Sequence, residues 1–231
     1  MELLLRNGAL IKAANKDNNT PVHLAVLNGH TGIVVLLLEK DALIEAMDQY
    51  GSTPLHIAVS EGHTGVLEVL LAKGASIETI NLYGNTPLHL AAERGHTEVL
   101  GVLLGTNPST EVRNQYGNTP LHSATSGGRL GAVEVLLGKR ALTEATNQDH
   151  NTPLHSATFG GYHTVVEVLL RKGALIQAIG QYGNTPLHIA ASGGHTGVIE
   201  ALLLKGASIQ AKNHNGNTQL HVFFFFFFFL N

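Results

Sequence analysis

Seven threonines stand 33 residues apart, at Thr20, Thr53, Thr86, Thr119, Thr152, Thr185 and Thr218. Each opens the tetrad Thr-Pro-Leu-His or a close variant of it. The octapeptide Gln-Tyr-Gly-Asn-Thr-Pro-Leu-His recurs unchanged at 115–122 and 181–188. A fixed period of this length means one supersecondary unit, copied and stacked, because a single copy cannot bury its own apolar face.

The stretch 48–82 shows how one unit works. Asp48 is suited to an Asx-turn and Gly51 to a positive φ. Thr53 is placed as an N-cap, with Pro54 at the first helical position, where a missing N–H costs nothing. A short helix follows, in which the small Ala58 permits a close neighbour. Gly62-His63 reads as a turn and Thr64 as the cap of a second helix. Val66, Leu67, Val69, Leu70 and Leu71 form the apolar side of that helix. Gly74 is expected to end it in the left-handed region, and an extended arm leads to the next turn. The fold class this predicts is all-α, a solenoid of stacked helix–turn–helix units spaced by about 8–10 Å.

Composition removes several function classes. There is no cysteine, so disulfides, thiol catalysis and cysteine-ligated zinc are excluded. Fourteen Lys and Arg against 17 Asp and Glu give a net charge near −3. That balance offers no strong pull toward nucleic acid or an acidic membrane, and Lys139-Arg140 and Arg171-Lys172 are isolated pairs. The first residues lack the pattern of a secretory leader, and no stretch reaches the ~20 apolar residues of a membrane helix. A cytoplasmic location is the expectation.

The string Gly-x-Thr-Pro-Leu-His-x-Ala, a following Gly-His and then Leu-Leu-x-x-Gly-Ala resembles the ankyrin repeat family over residues 1–222. On this reading a half unit occupies 1–19. Six full units run from Thr20 to Asn217, a truncated unit starts at Thr218, and residues 223–231 form a separate tail. The resemblance implies L-shaped units with projecting β-hairpin loops. It also implies a non-enzymatic scaffold that binds a protein partner through hairpin tips and a concave groove. A second reading makes the chain a fragment of the regulatory or targeting array of a larger enzyme or channel.

The histidines fit a structural role. A catalytic residue is needed once, whereas His23, His56, His89, His122, His155, His188 and His221 recur in every tetrad. At the third helical position an imidazole can bridge orphan N–H groups and the neighbouring turn. A second series, His30, His63, His96 and His195, gives way to Arg129 and Tyr162 in two units, which a metal site would not tolerate. The glycine clusters at 127–131 and 193–197 follow helices, not strands, and so read as tight turns instead of phosphate loops. Glu68, Glu134, Glu167 and Glu200 read as the solvated flank of the second helix. No catalytic constellation, metal site or cofactor site is expected.

Difference between units is where a partner would be read. Tyr50, Tyr83, Tyr116 and Tyr182 share a turn-tip position, with Asp17, Asp149 and Asn215 there in other units. Met47, Ile80, Leu82, Arg113 and Ile179 lie beside them. Leu27, Glu93, Arg94 and Phe159 mark the end of the first helix. Tyrosine gives contact area at low entropy cost. The expected partner-binding set is therefore Tyr50, Tyr83, Tyr116, Tyr182, Met47, Ile80, Leu82, Arg94, Arg113 and Phe159.

Irregularities locate strain. Gly101 and Gly105 interrupt a second helix at about 1 kcal/mol each, and Asn107-Pro108 follows, so this helix is expected to fray first. Asn18 and His150 replace a tip glycine, and Asp41 and Arg140 replace a helix-ending one. Seven consecutive phenylalanines, 223–229, cannot follow the unit's small-residue pattern and read as a sequence-level accident. Neither end resembles a polar capping repeat. The chain is therefore expected to be a segment of a longer array, or to self-associate through uncapped ends.

Overall fold

The computed structural model describes residues 2–229. Met1, Leu230 and Asn231, the last two part of the tail, lie outside the described residues. After α1 (Glu2–Arg6) the helices come in pairs. These are α2 (Pro21–Leu27) with α3 (Thr31–Glu39), α4 (Pro54–Glu61) with α5 (Thr64–Ala72), and α6 (Pro87–Arg94) with α7 (Thr97–Gly105). Then come α8 (Pro120–Ser126) with α9 (Leu130–Gly138), α10 (Pro153–Phe159) with α11 (His163–Arg171), and α12 (Pro186–Ser192) with α13 (Thr196–Leu204). A last helix, α14, spans Gln219–Phe229. No β-strand forms among the described residues, and the arms between pairs are extended chain closed by tight turns.

Two compact units divide the chain. Unit 1 holds residues up to Ala91 together with His96–Ser109, and unit 2 holds Ala92–Gly95 and everything from Thr110. Within unit 1, α2 packs on α4, while α3, α5 and α7 follow one another. Within unit 2, α8, α10, α12 and α14 form one row and α9, α11 and α13 the other. The core runs between the rows. Leu55, Leu67, Leu70 and Leu100 are fully buried in unit 1, as are Leu121, Leu136, Leu154 and Leu169 in unit 2. Ala58, Ala124, Ala157 and Ala190 are fully buried too, the small side chains that let first helices approach.

Caps set the boundaries. In α4 the Thr53 side chain faces the N3 backbone N–H while the His56 ring reaches back to the Thr53 N–H, a reciprocal capping box. The second helices start one residue earlier than their threonines suggest: Thr64 is the first helical residue and His63 the cap. Their far ends close as Schellman motifs. After α5, Gly74 N–H donates to Leu71 O (3.0 Å) and Ala75 N–H to Leu70 O (2.9 Å), with Gly74 at φ 89°.

The substituted glycine positions keep that backbone. Asn18, Asp41, Arg140 and His150 all sit at φ between 60° and 65°. Asp41 and Arg140 make the same two Schellman bonds as Gly74. At the foot of α7 the motif is cut short. Asn107 takes φ 56°, but Pro108 has no N–H to complete it. The helix is otherwise continuous through Gly101 and Gly105, with Val99, Leu100, Leu103 and Leu104 buried. In α14 the backbone runs on through the phenylalanines to 229, 11 residues against seven or eight in the other first helices. No helix of the described residues is long and apolar enough to cross a membrane.

Candidate partner-binding surface

Which side chains are free for a partner depends on which are spent on the repeat. The tetrad histidines are spent. His56 is fully buried, its Nδ1 accepts the Thr53 N–H (3.2 Å), and its Nε2–H donates to Asn85 O (3.1 Å), 29 residues ahead. His23 does the same to Ala46 O, His122 to Asn151 O, His155 to Asn184 O and His188 to Asn217 O. A ring that accepts at Nδ1 and donates from Nε2 is one neutral tautomer. Burial disfavours its charged form and holds the pKa of His23, His56, His155 and His188 below the ordinary value, with the carbonyl acceptors pulling the other way.

The second histidine series is spent as well, in a way the sequence did not show. His63 Nε2–H donates to Leu27 O, His96 to Ser60 O and His195 to Phe159 O, each 36 residues back. The acceptors are unpaired carbonyls at the end of the preceding unit's first helix. Arg129 replaces the imidazole and preserves the bond, donating from Nε to Glu93 O at 3.0 Å. Tyr162 instead lays its ring on Gly128, where a Cβ would approach it to 2.6 Å. No group of three or more His, Asp or Glu suited to a metal ion exists among the described residues.

Polar ladders also run along the turns and arms. Asp48 Oδ1 accepts the N–H groups of Tyr50 and Ser52, both at 2.8 Å, and Asn15, Asn81, Asn114, Asn147 and Asn213 do likewise. Their amides join neighbouring units, as in Asn147 Nδ2 to Asn118 Oδ1 (2.9 Å). Glu45 accepts Ser76 N–H (2.7 Å), Glu111 accepts Leu142 N–H and Glu144 accepts Leu175 N–H. This carboxylate series at 45, 111 and 144 was missed in the sequence, although its 33-residue spacing was there to find.

One unit departs from this plan. Gly180 stands where the other turns have Asn or Asp, and a Cβ there would meet Asn151 Oδ1 at 2.3 Å. The Asn151 oxygen accepts Gln181 N–H instead (3.1 Å), and the turn tightens into a 3-10 segment, Gln181–Gly183, with Tyr182 at φ 58°.

The expected partner residues lie outside these networks by differing degrees. The tip tyrosines use their backbone and leave the ring out. Tyr50 O accepts Leu82 N–H, Tyr116 O accepts Gln148 N–H and Tyr182 O accepts His214 N–H, while all three side chains are exposed. In unit 1, Met47, Tyr50, Ile80, Leu82 and Tyr83 share two adjoining arms and are all exposed. In unit 2, Tyr116, Ile179 and Tyr182 are exposed on the turns and arms. Arg94 is exposed at the end of α6. The Arg113 guanidinium is engaged within the fold, donating to Gly117 O and to Thr146 O of the next arm. Phe159, 78% exposed, is not on a turn but ends α10. There it lines an open pocket of about 190 Å3 with Ser126, Asn151, His155, Ser156 and Ile189.

Residues 1–81, 78–146 and 139–213 match the family model described as ankyrin repeats, in three copies. Among solved structures, the human ASB11 ankyrin repeat domain is similar at 27% identity and a TM-score of 0.81, over 88% of this chain and 91% of that one. The ankyrin repeat domain of Bcl-3, a member of the IkappaB protein family, is similar at 30% identity and a TM-score of 0.77, over 90% of this chain and 95% of that one. No curated protein sequence matches.

Proposed function

We propose that this chain, which belongs to the ankyrin repeat family, holds a protein partner on its exposed turn tips and on the groove side of its first helices. Ankyrin repeat domains mediate protein–protein interactions, and the family and its solved neighbours are non-catalytic. The observation that carries the finer reading is a division of labour. The repeated histidines, asparagines and threonines are buried or hydrogen-bonded within the stack, whereas the residues that differ between units project aromatic and aliphatic side chains to solvent. Such side chains supply the anchors of interfaces.

The experiment is affinity capture with three proteins: the native chain, a variant with alanine at Tyr50, Tyr83, Tyr116 and Tyr182, and a control altered at the exposed Glu134 of α9. A protein retained by the native chain and the control, and lost by the tyrosine variant at unchanged helicity, is the expected result. Identical capture by all three would remove the tips from the account.

A further inference from the structure

Unit 1 carries ten carboxylates against five lysines and arginines, and unit 2 seven against nine. The excess acid of unit 1 is not spread evenly over its arms. Along 42–47 exposure alternates: Leu43, Glu45 and Met47 are exposed, while Ala42 is buried and Ile44 and Ala46 are half-buried. Along 75–82, Ser76, Glu78, Ile80 and Leu82 are exposed, while Ala75 and Asn81 are buried. In both arms the acid is therefore exposed together with its apolar neighbours. The two arms adjoin, since Ser76 N–H and the Thr79 hydroxyl donate to the Glu45 carboxylate (2.7 and 3.3 Å) and Leu82 N–H donates to Tyr50 O (3.0 Å).

The two adjoining arms thus expose Leu43, Met47, Tyr50, Ile80, Leu82 and Tyr83, each about half or more, together with Glu45 and Glu78. Among the described residues, an ion pair joins Arg6 to Glu2, His163 Nε2 lies 3.5 Å from Glu167 Oε1, and no lysine or arginine pairs with Glu45, Asp48 or Glu78. In unit 2 the pattern lapses. Glu111 and Glu144 keep the acid but are followed by Arg113 and Thr146 where unit 1 has Met47 and Ile80, Gln177 and Gln210 replace the acid, and Lys212 again takes the apolar place.

We infer that this arm face of unit 1 receives a basic protein segment bearing aliphatic or aromatic side chains, a reading that rests on the partner-binding function proposed above. The apolar residues supply the burial, and the carboxylates, which no lysine or arginine neutralises, select the charge of the partner. The same carboxylates repel nucleic-acid phosphates and anionic lipid headgroups, which leaves a polypeptide as the occupant.

The test pans a phage-displayed random peptide library against the full chain, then measures selected peptides by fluorescence anisotropy. Variants are Ile80→Ser with Tyr83→Ser, Glu78→Lys, and Glu45→Gln, which keeps an acceptor for Ser76. Circular dichroism and thermal melting verify each fold. Selected peptides should be rich in Lys or Arg and in apolar residues, and should bind about tenfold or more weakly to the double serine variant and to Glu78→Lys. Their affinity should also fall with added salt. Peptides that depend on Ile80 and Tyr83 but are neutral or acidic would overturn this inference and leave the partner-binding function standing. Peptides indifferent to all of these substitutions would overturn this inference alone, and no enrichment at all would overturn both.

Discussion

Thr125 and Thr158 occupy the same position in successive first helices, α8 and α10, and both are fully buried. Their hydroxyls differ in one respect. Thr125 Oγ1 donates to His122 O at 2.9 Å, whereas Thr158 Oγ1 has no hydrogen-bond partner among the described residues. Valine already stands at this position as Val26 and Val59, so the site accepts its shape. Replacing Thr158 with valine removes a buried hydroxyl whose unmet desolvation costs about 1–3 kcal/mol. It also adds a buried methyl worth about 0.8 kcal/mol. Replacing Thr125 gains the same methyl but gives up a hydrogen bond of about 0.5–1.5 kcal/mol. Thr158→Val should therefore stabilise by about 1 kcal/mol or more, and Thr125→Val should lie near zero. Urea unfolding followed by far-UV circular dichroism reads both, and the shared position makes each the control for the other. Equal effects, or a less stable Thr158→Val, would refute the reasoning.

Other outcomes follow from backbone, space and charge. Asp41→Gly and Arg140→Gly should each raise stability by about 1 kcal/mol in the same assay, because both residues hold a left-handed φ that glycine adopts freely. Gly180→Asn should stabilise, since the nearest crowding atom, Asn151 Oδ1, ends a mobile side chain and the equivalent Asn147 and Asn213 donate to Asn118 Oδ1 and Asn184 Oδ1 at 2.9 and 3.0 Å. Acid should loosen the stack. With folded pKa values of His23, His56, His155 and His188 held below 6.5, the unfolded chain binds more protons once the pH drops to that region. Their contribution is fully present above pH 6.5 and is lost as pH falls below it, so the urea midpoint should be flat from pH 8 to 7 and lower at pH 5.5.

The period made the fold legible because one unit, read once, is read everywhere. Thr53, Pro54, Ala58 and Gly74 each have a local physical reason for their place, and local reasons are visible in a sequence. The left-handed backbone at Asn18, Asp41, Arg140 and His150 was legible for the same reason. What stayed hidden are bonds between units. Nothing local in His63 points to Leu27 O, 36 residues away, and the arm carboxylates do their work across the stack. Gly180 shows the limit most clearly. Its departure from asparagine is plain to read, but the turn of Asn151 Oδ1 onto the Gln181 N–H that accompanies it exists only in three dimensions. The tip tyrosines stood out because they keep a position that other units fill with different residues. Arg113 was found the same way and turned out to bind its own neighbouring arm.

The account rests on the tetrad imidazoles acting as neutral bridges between units, and long-range proton–nitrogen NMR correlations of their ring nitrogens test that most directly. The predicted spectrum has protonated Nε2 and bare Nδ1 at His23, His56, His122, His155 and His188, with His23, His56, His155 and His188 mostly neutral at pH 6.5, the ordinary value for the free ring. Rings protonated at Nδ1, charged at that pH, or shifting together on addition of zinc would contradict it.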